Sequence, residues 1–159
     1  MVYLEVSLDN LIKQDEGIRK NIQFLEKIIS EQDNAYFGDT DNCPLKHSFA
    51  DGCYVREIFI PKGNLVVGKI HKHSHPNFLM EGEVIVITEE GKKHLKAPCS
   101  MISAAGTKRV VYTLENSRWI TVHVTDKTDL KEIEQEIIVD NFARIGLKDF
   151  LPEASVCHG

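Results

Sequence analysis

The chain has 159 residues, 42% of them hydrophobic and 27% charged, which fits one soluble globular domain with terminal extensions. A net charge of −5 argues against a nucleic-acid footprint, which needs clustered Lys and Arg. No apolar run approaches the roughly 18–20 residues of a membrane span, and Met1-Val2-Tyr3-Leu4-Glu5 does not open like a secretory signal, so the expected compartment is the cytoplasm.

Three regions follow: a helical extension over 1–32, a β-rich region with a leading arm over 33–126, and a helix with a tail over 127–159. In the first, Leu8, Leu11, Ile12, Ile18, Ile22, Leu25, Ile28 and Ile29 fall mostly three or four apart, which predicts a helix over 7–31. Gly17 marks a kink or a break within it. The stripe is expected to pack on its own domain or on a second subunit. Residues 32–51 are rich in turn signals and read as an arm laid over the core. His47, inside that arm, is expected to be a surface or hydrogen-bonded residue.

From Cys53 the period becomes strand-like. Strands are expected over 54–60, 65–71, 78–88 (with a break at Glu81-Gly82), 93–96, 101–103, 108–114 and 119–125. Glu89-Glu90-Gly91-Lys92 reads as a hairpin turn. Seven or eight short strands with turns every eight to twelve residues indicate a sandwich or barrel. Leu130, Ile133, Ile137 and Ile138 restore helical spacing over 127–139, with Thr128 or Asp129 at its start. One more helical turn is expected within 142–151, followed by a loose tail. The cysteines, Cys43, Cys53, Cys99 and Cys157, form no C-x-x-C pair and read as inert thiols.

The chemistry concentrates in His71-Lys72-His73-Ser74-His75. On extended chain the three imidazoles share a face, and neutral imidazoles bind transition metals. A straight strand separates alternate residues by about 7 Å and residues four apart by about 13 Å. Donors on one ion must converge at about 2.0–2.1 Å from it, so a straight strand supplies two ligands at most. A bend at 72–74 would bring His71 and His75 together.

The region 53–125 resembles the cupin superfamily, jelly-roll barrels that often hold a metal between histidines and a carboxylate. Gly82, in Met80-Glu81-Gly82-Glu83, fits the glycine of the first cupin motif. Counting back, His75 takes the glutamate's place, and His71 and His73 stand for the histidine pair. The second motif, proline-x-glycine-x-x-histidine, reads Ala104-Ala105-Gly106-Thr107-Lys108-Arg109. Its glycine is kept and its histidine is Arg109, which does not serve as a ligand. His123, on an alternating strand with Thr121 and Thr125, is the replacement ligand; the other reading is a core histidine bonded to threonine. The longer stretches around these motifs are also similar to a small cupin-like subgroup carried by tailed bacteriophages and some bacteria, which would place the protein in a host cytoplasm.

The resemblance implies an all-β double-stranded β-helix, or jelly-roll barrel, with N- and C-terminal helices. The metal ligands would be His71, His75 and His123, with His73 as alternate, for a divalent Zn, Fe, Ni, Mn or Cu. Arg109, with Lys108 beside it, is expected to hold an anionic small molecule, because a guanidinium pairs its donors with carboxylate or phosphate. Glu57, Glu81 and Tyr112 are candidate acid, base or orienting groups. Three functions stay open: a metal-dependent enzyme, a non-enzymatic barrel that sequesters a small molecule, and an oligomeric interaction protein whose helices do the work. Homo-oligomers are expected.

Overall fold

The computed structural model describes residues 17–33, 35 and 40–139. The expected helical residues 7–16, the turn within 142–151, the tail and Cys157 lie outside them. The elements run α1 (Ile18–Ser30), β1 (Leu45–Ala50), β2 (Cys53–Ile60), β3 (Leu65–Val67), β4 (His75–Glu81), β5 (Glu83–Thr88), β6 (Gly91–Lys96), β7 (Cys99–Ser103), β8 (Val110–Thr113), β9 (Ser117–Val124) and α2 (Leu130–Ile137).

Two antiparallel sheets face each other. One has the order β1-β2-β9-β4-β7, the other β3-β8-β5-β6. Alternation along each strand decides what lies between them. Ile58, Leu79, Val84, Val86, Val111 and Trp119 point inward and form the inter-sheet core. Their neighbours in sequence point outward. The architecture is a jelly roll flanked by two helices, as the resemblance implied.

The helix α1 begins directly after Gly17. Ile18, Ile22 and Leu25 are buried against Val67, Ile87 and Val110, on the outer face of the four-stranded sheet. At about 1.5–3 kcal/mol per buried aliphatic side chain, this face outweighs the missing side-chain cap at Gly17. Among the described residues, Ile18, Ile22, Leu25 and Ile29 of the stripe therefore pack on their own domain. Beneath it, Lys108 Nζ donates to Glu26 Oε1 at 2.8 Å, with the Lys108 side chain fully buried.

Three expectations are corrected. Residues 45–50 are an edge strand, not a covering arm; Ala50-Asp51-Gly52-Cys53 is a tight hairpin with Gly52 at φ +71°. The strand expected over 65–71 ends at Val67. There the backbone opens around Arg109: a Cβ on Gly68 would sit 3.2 Å from Arg109 Cγ. The strand expected from Phe78 already starts at His75, and Gly82 (φ +91°) divides β4 from β5.

The helix α2 is capped by Asp129, whose side chain accepts from the backbone N–H groups of Lys131 and Glu132 at 3.0 and 3.1 Å. Ile133 and Ile137 pack on Tyr54. After the helix, Ile138 bridges His71, Lys72 N–H donates to the Ile137 carbonyl, and Val139 N–H donates to the Ile70 carbonyl. The C-terminal helix is thereby clasped to the histidine loop.

Candidate metal centre

The loop from Gly68 to Ser74 leaves β3, bends at Lys72-His73 and enters β4 at His75. The bend sets His71 and His75 side by side, with ring centroids 4.3 Å apart. His123 comes from the middle of the larger sheet, on β9. Its alternation with Thr121 and Thr125 aims all three side chains inward, and all three are buried. The His123 ring lies 5.0 Å from that of His71 and 4.7 Å from that of His75. One nitrogen from each ring lies within 4.8 Å of the others. Ligands on a tetrahedral ion at about 2.1 Å stand about 3.4 Å apart, so small side-chain rotations close the set.

The electrostatics suit ligation. Burial is the largest cause lowering all three imidazole pKa values, reinforced by neighbouring imidazoles at His71 and His123 and by the Arg109 guanidinium at all three. His71 falls to about 2, His123 to about 3 and His75 to about 4. All three are therefore neutral at pH 7, with lone pairs available. His75 Nδ1 lies 3.3 Å from the His73 carbonyl, and donating a proton there leaves Nε2 as a bare acceptor. That Nε2 is buried with no hydrogen-bond partner among the described residues. An orphaned buried lone pair within a cluster of three imidazoles fits a soft or borderline divalent cation. His123 Nε2 lies 3.2 Å from Thr121 Oγ1, so the threonine contact and membership of the cluster coexist.

Arg109 is also inside, 8% exposed. Its Nη1 donates to Asn77 Oδ1 at 2.9 Å and to Ser103 Oγ at 3.1 Å, and its guanidinium carbon lies 5.2 Å from the Trp119 ring centre. Trp119 Nε1 donates to the same Asn77 oxygen, and Asn77 Nδ2 donates to Ser103 Oγ and the His75 carbonyl. This network ties the arginine to the histidine strand. Burial lowers the Arg109 pKa only to about 10, so it stays cationic. Arg109, Arg56, Gly68, Trp119 and Thr121, with aliphatic walls, line a cavity of about 20 Å³, room for a single water.

The other nominated residues lie elsewhere. His73 is exposed and outside the cluster; the convergent pair from this loop is His71 and His75. Glu57 belongs to the outer face of β2 and pairs with Arg118 at 3.5 Å, as Glu81 does at 3.0 Å. Tyr112 alternates with inward-facing Val111 and shares the outer side of the smaller sheet with Val110. Lys108 is engaged by Glu26. His47 Nδ1 lies 2.7 Å from the Tyr54 hydroxyl, and Tyr54 stacks on His123 with ring centres 6.0 Å apart.

Arg56 is the residue that sequence reasoning did not nominate. Period two alone does not say which side of β2 faces inward; the register does, by setting Arg56 opposite Thr121 and Tyr54 opposite His123.

No protein-family model and no curated protein sequence matches the chain. Solved structures do. Ectoine synthase from P. lautus superposes with a TM-score of 0.51 at 14% identity, over 63% of this chain and 75% of that one. Salicylate 1,2-dioxygenase from Pseudaminobacter salicylatoxidans gives 0.52 at 8% identity, over 71% of this chain and 34% of that one. A cupin superfamily protein from Desulfitobacterium hafniense DCB-2 gives 0.47 at 8% identity, over 58% and 85%. At these identities the likeness concerns fold, and the fold is the cupin-type jelly roll.

Proposed function

We propose that this cupin-fold chain holds one divalent transition metal on His71, His75 and His123 and acts on a small anionic molecule drawn to Arg109 and Arg56, whose one-water cavity widens to admit it. The observation that carries the reading is the convergence of three neutral, buried imidazoles, one with an orphaned Nε2, beside a buried guanidinium. Three protein ligands on an ion leave coordination positions open, the pattern of a catalytic rather than a structural site. An ion held there would polarise an oxygen of the bound molecule as a Lewis acid.

The remaining work falls to the chain itself. Asn77 and Ser103 fix Arg109 through Nη1, which pre-orients the rest of its fork toward the cavity. Trp119, Ile58 and Val111 keep the walls apolar, strengthening any charge pairing inside. Tyr54 with Ile133 and Ile137 closes the side next to His123 and excludes water.

A second reading, a barrel that binds its ligand without chemistry, is favoured by one observation. The cavity lining holds no carboxylate, and the nominated Glu57 and Tyr112 face away from it. Proton transfer would then have to involve the substrate's own groups or water.

The test is elemental analysis of protein purified without a histidine tag and dialysed against excess metal, alongside His123→Ala. The expected result is one metal per chain, lost on substitution. No metal above background would overturn the proposal. Incubating the loaded protein with small carboxylates and oxoanions separates the readings: a converted compound supports the enzyme, one returned intact supports the binder.

A further inference from the structure

The guanidinium of Arg109 is buried without a matching negative charge. A guanidinium carries five N–H donors, and here Nη1 uses its two on the neutral oxygens of Asn77 and Ser103. Nε and Nη2 meet no acceptor among the described residues, and no described carboxylate pairs with Arg109. Glu57 and Glu81 lie on the other side of the sheet and hold Arg118, while Glu26 and Glu89 serve Lys108 and Arg19 under α1. The neighbouring charge that acts on Arg109 is Arg56, which has the same sign. The three imidazoles are neutral at pH 7 and offset nothing. A buried ion is costly unless it is paired, and a second ion of like sign beside it raises the cost.

Both arginines line the cavity of about 20 Å³ between the sheets. Gly68 forms part of its wall, and a Cβ there would stand 3.4 Å from Arg109 Nε, so the missing side chain leaves room beside that donor. A water fits the space but brings no charge. We infer that this cavity is a site for one compact monovalent anion, a halide such as chloride or an ion of similar size such as formate. The inference rests on the proposed reading of Arg109 and Arg56 as an anion-binding pair, and names what that pair holds while the cavity keeps its present size.

Size and lining set the class of ion. Room for about one water excludes phosphate, sulfate and any carboxylate with a chain behind it. Ile58, Val66, Val111 and Trp119 supply apolar wall, which suits a weakly hydrated ion and offers a polyvalent one no further donors. Charge-assisted N–H donors in such surroundings grip an anion more strongly than they would in water. The compact ion therefore sits where the acidic end of a larger molecule would arrive, and chloride should compete with that molecule for Arg109.

The test uses Trp119, the one tryptophan of the chain, buried with its ring centre 5.2 Å from the Arg109 guanidinium carbon. A heavy halide held at Arg109 quenches that ring by contact, and the loss saturates. A free halide does not reach a buried ring, so a cavity that takes no anion gives only a shallow, linear loss. The full chain, stripped of metal with EDTA, is titrated with potassium bromide against potassium gluconate at constant ionic strength. The expected result is a saturating fall in emission that chloride and formate compete away; whichever competes at the lower concentration is the better fit to the site. Arg56→Gln, at a half-buried position, should bind bromide roughly tenfold more weakly. Gly68→Ala crowds Nε and should weaken binding as well, and it decides the matter if Arg56→Gln does not fold. A linear response in the unaltered chain, or variants that respond as the unaltered chain does, would overturn the inference. A failed metal analysis would leave the bromide response standing, whereas a linear bromide response beside metal uptake would strike the compact-anion site alone.

Discussion

Burial keeps the imidazoles of His71, His75 and His123 neutral, and that links the site to stability. In the unfolded chain each takes up a proton as the pH falls through its ordinary value of 6.5; in the folded, metal-free chain none does until about pH 4. The unfolded state thus binds more protons between pH 6.5 and 4, and stability falls with the pH. Each histidine contributes about 1.4 kcal/mol per pH unit inside that window, so the three together approach about 4. Urea unfolding of the metal-free protein at half-unit pH steps should show this slope, and His123→Asn should flatten it by about a third. An unchanged slope in the variant would mean that His123 is not held neutral by the fold.

A second residue-scale prediction concerns Glu26 and Lys108. Burial raises the glutamate's pKa and lowers the lysine's, and each partner opposes that by holding the other charged at 2.8 Å. Glu26→Gln leaves a buried ammonium with a weaker partner and should cost about 3–5 kcal/mol in unfolding free energy. Glu26→Leu combined with Lys108→Met should recover most of that loss, because a buried pair stabilises little over an apolar pair of similar volume. If the double variant is no better than Glu26→Gln, the pair supplies attraction that exceeds its desolvation.

At the scale of elements, the glycine between β4 and β5 decides whether the larger sheet can hand its chain to the smaller one. Gly82 sits at φ +91°, and a Cβ there would lie 2.3 Å from Ser117 Oγ and 2.4 Å from the Asn116 carbonyl oxygen. Gly82→Ala meets both a disfavoured backbone region and a backbone contact that cannot yield. The expected loss is at least about 3 kcal/mol, read as a shift of the urea midpoint. Gly63→Ala is the comparison: it shares the positive φ, at +79°, but meets nothing within 4 Å, so it should lose less.

The same two features show how far the sequence could be read. Gly82 and Gly106 stood out because they fit the glycines of the two resembling motifs, and both take the positive φ that favours glycine. The bend at 72–74 was legible because straight-strand geometry excludes three adjacent ligands, and His123, which the structure sets beside His71 and His75, was nominated because Arg109 stands where the resembling motif has a histidine. The edge strand β1 was not. Lys46 and Ser48 make it polar, and its hairpin signal Asp51-Gly52 lay among other turn residues. Arg56 was hidden for a different reason: only its partner strands show that it faces inward, and Glu57, its neighbour, was nominated instead. Tyr112 failed the same way, by one residue of alternation from Val111.

On the scale of the whole molecule, the histidine loop and the C-terminal helix are tied to each other through the backbone. His71 lies in the cluster, bridges Ile138, and accepts at its carbonyl from Gly106 N–H at 2.9 Å. Lys72 N–H to the Ile137 carbonyl and Val139 N–H to the Ile70 carbonyl, both 2.8 Å, stitch the end of α2 to that loop. Opening the helix therefore releases His71, and fixing His71 should hold the helix shut. A ligand at one hundred times its dissociation constant stabilises the states that bind it by about 2.7 kcal/mol, or roughly 100-fold in the opening equilibrium. If peeling back of α2 breaks the site, the Lys72 and Val139 amides should gain up to that factor in hydrogen-exchange protection when zinc is added. The amides of β6, an edge strand on the far sheet, open without disturbing the cluster and should gain little. Exchange measured by mass spectrometry over peptides spanning 69–73 and 137–139, with 91–96 as reference, reads the difference. Equal protection in all three would mean that the clasp and the metal centre open independently, and the helix would then be a cover with no hold on the chemistry beneath it.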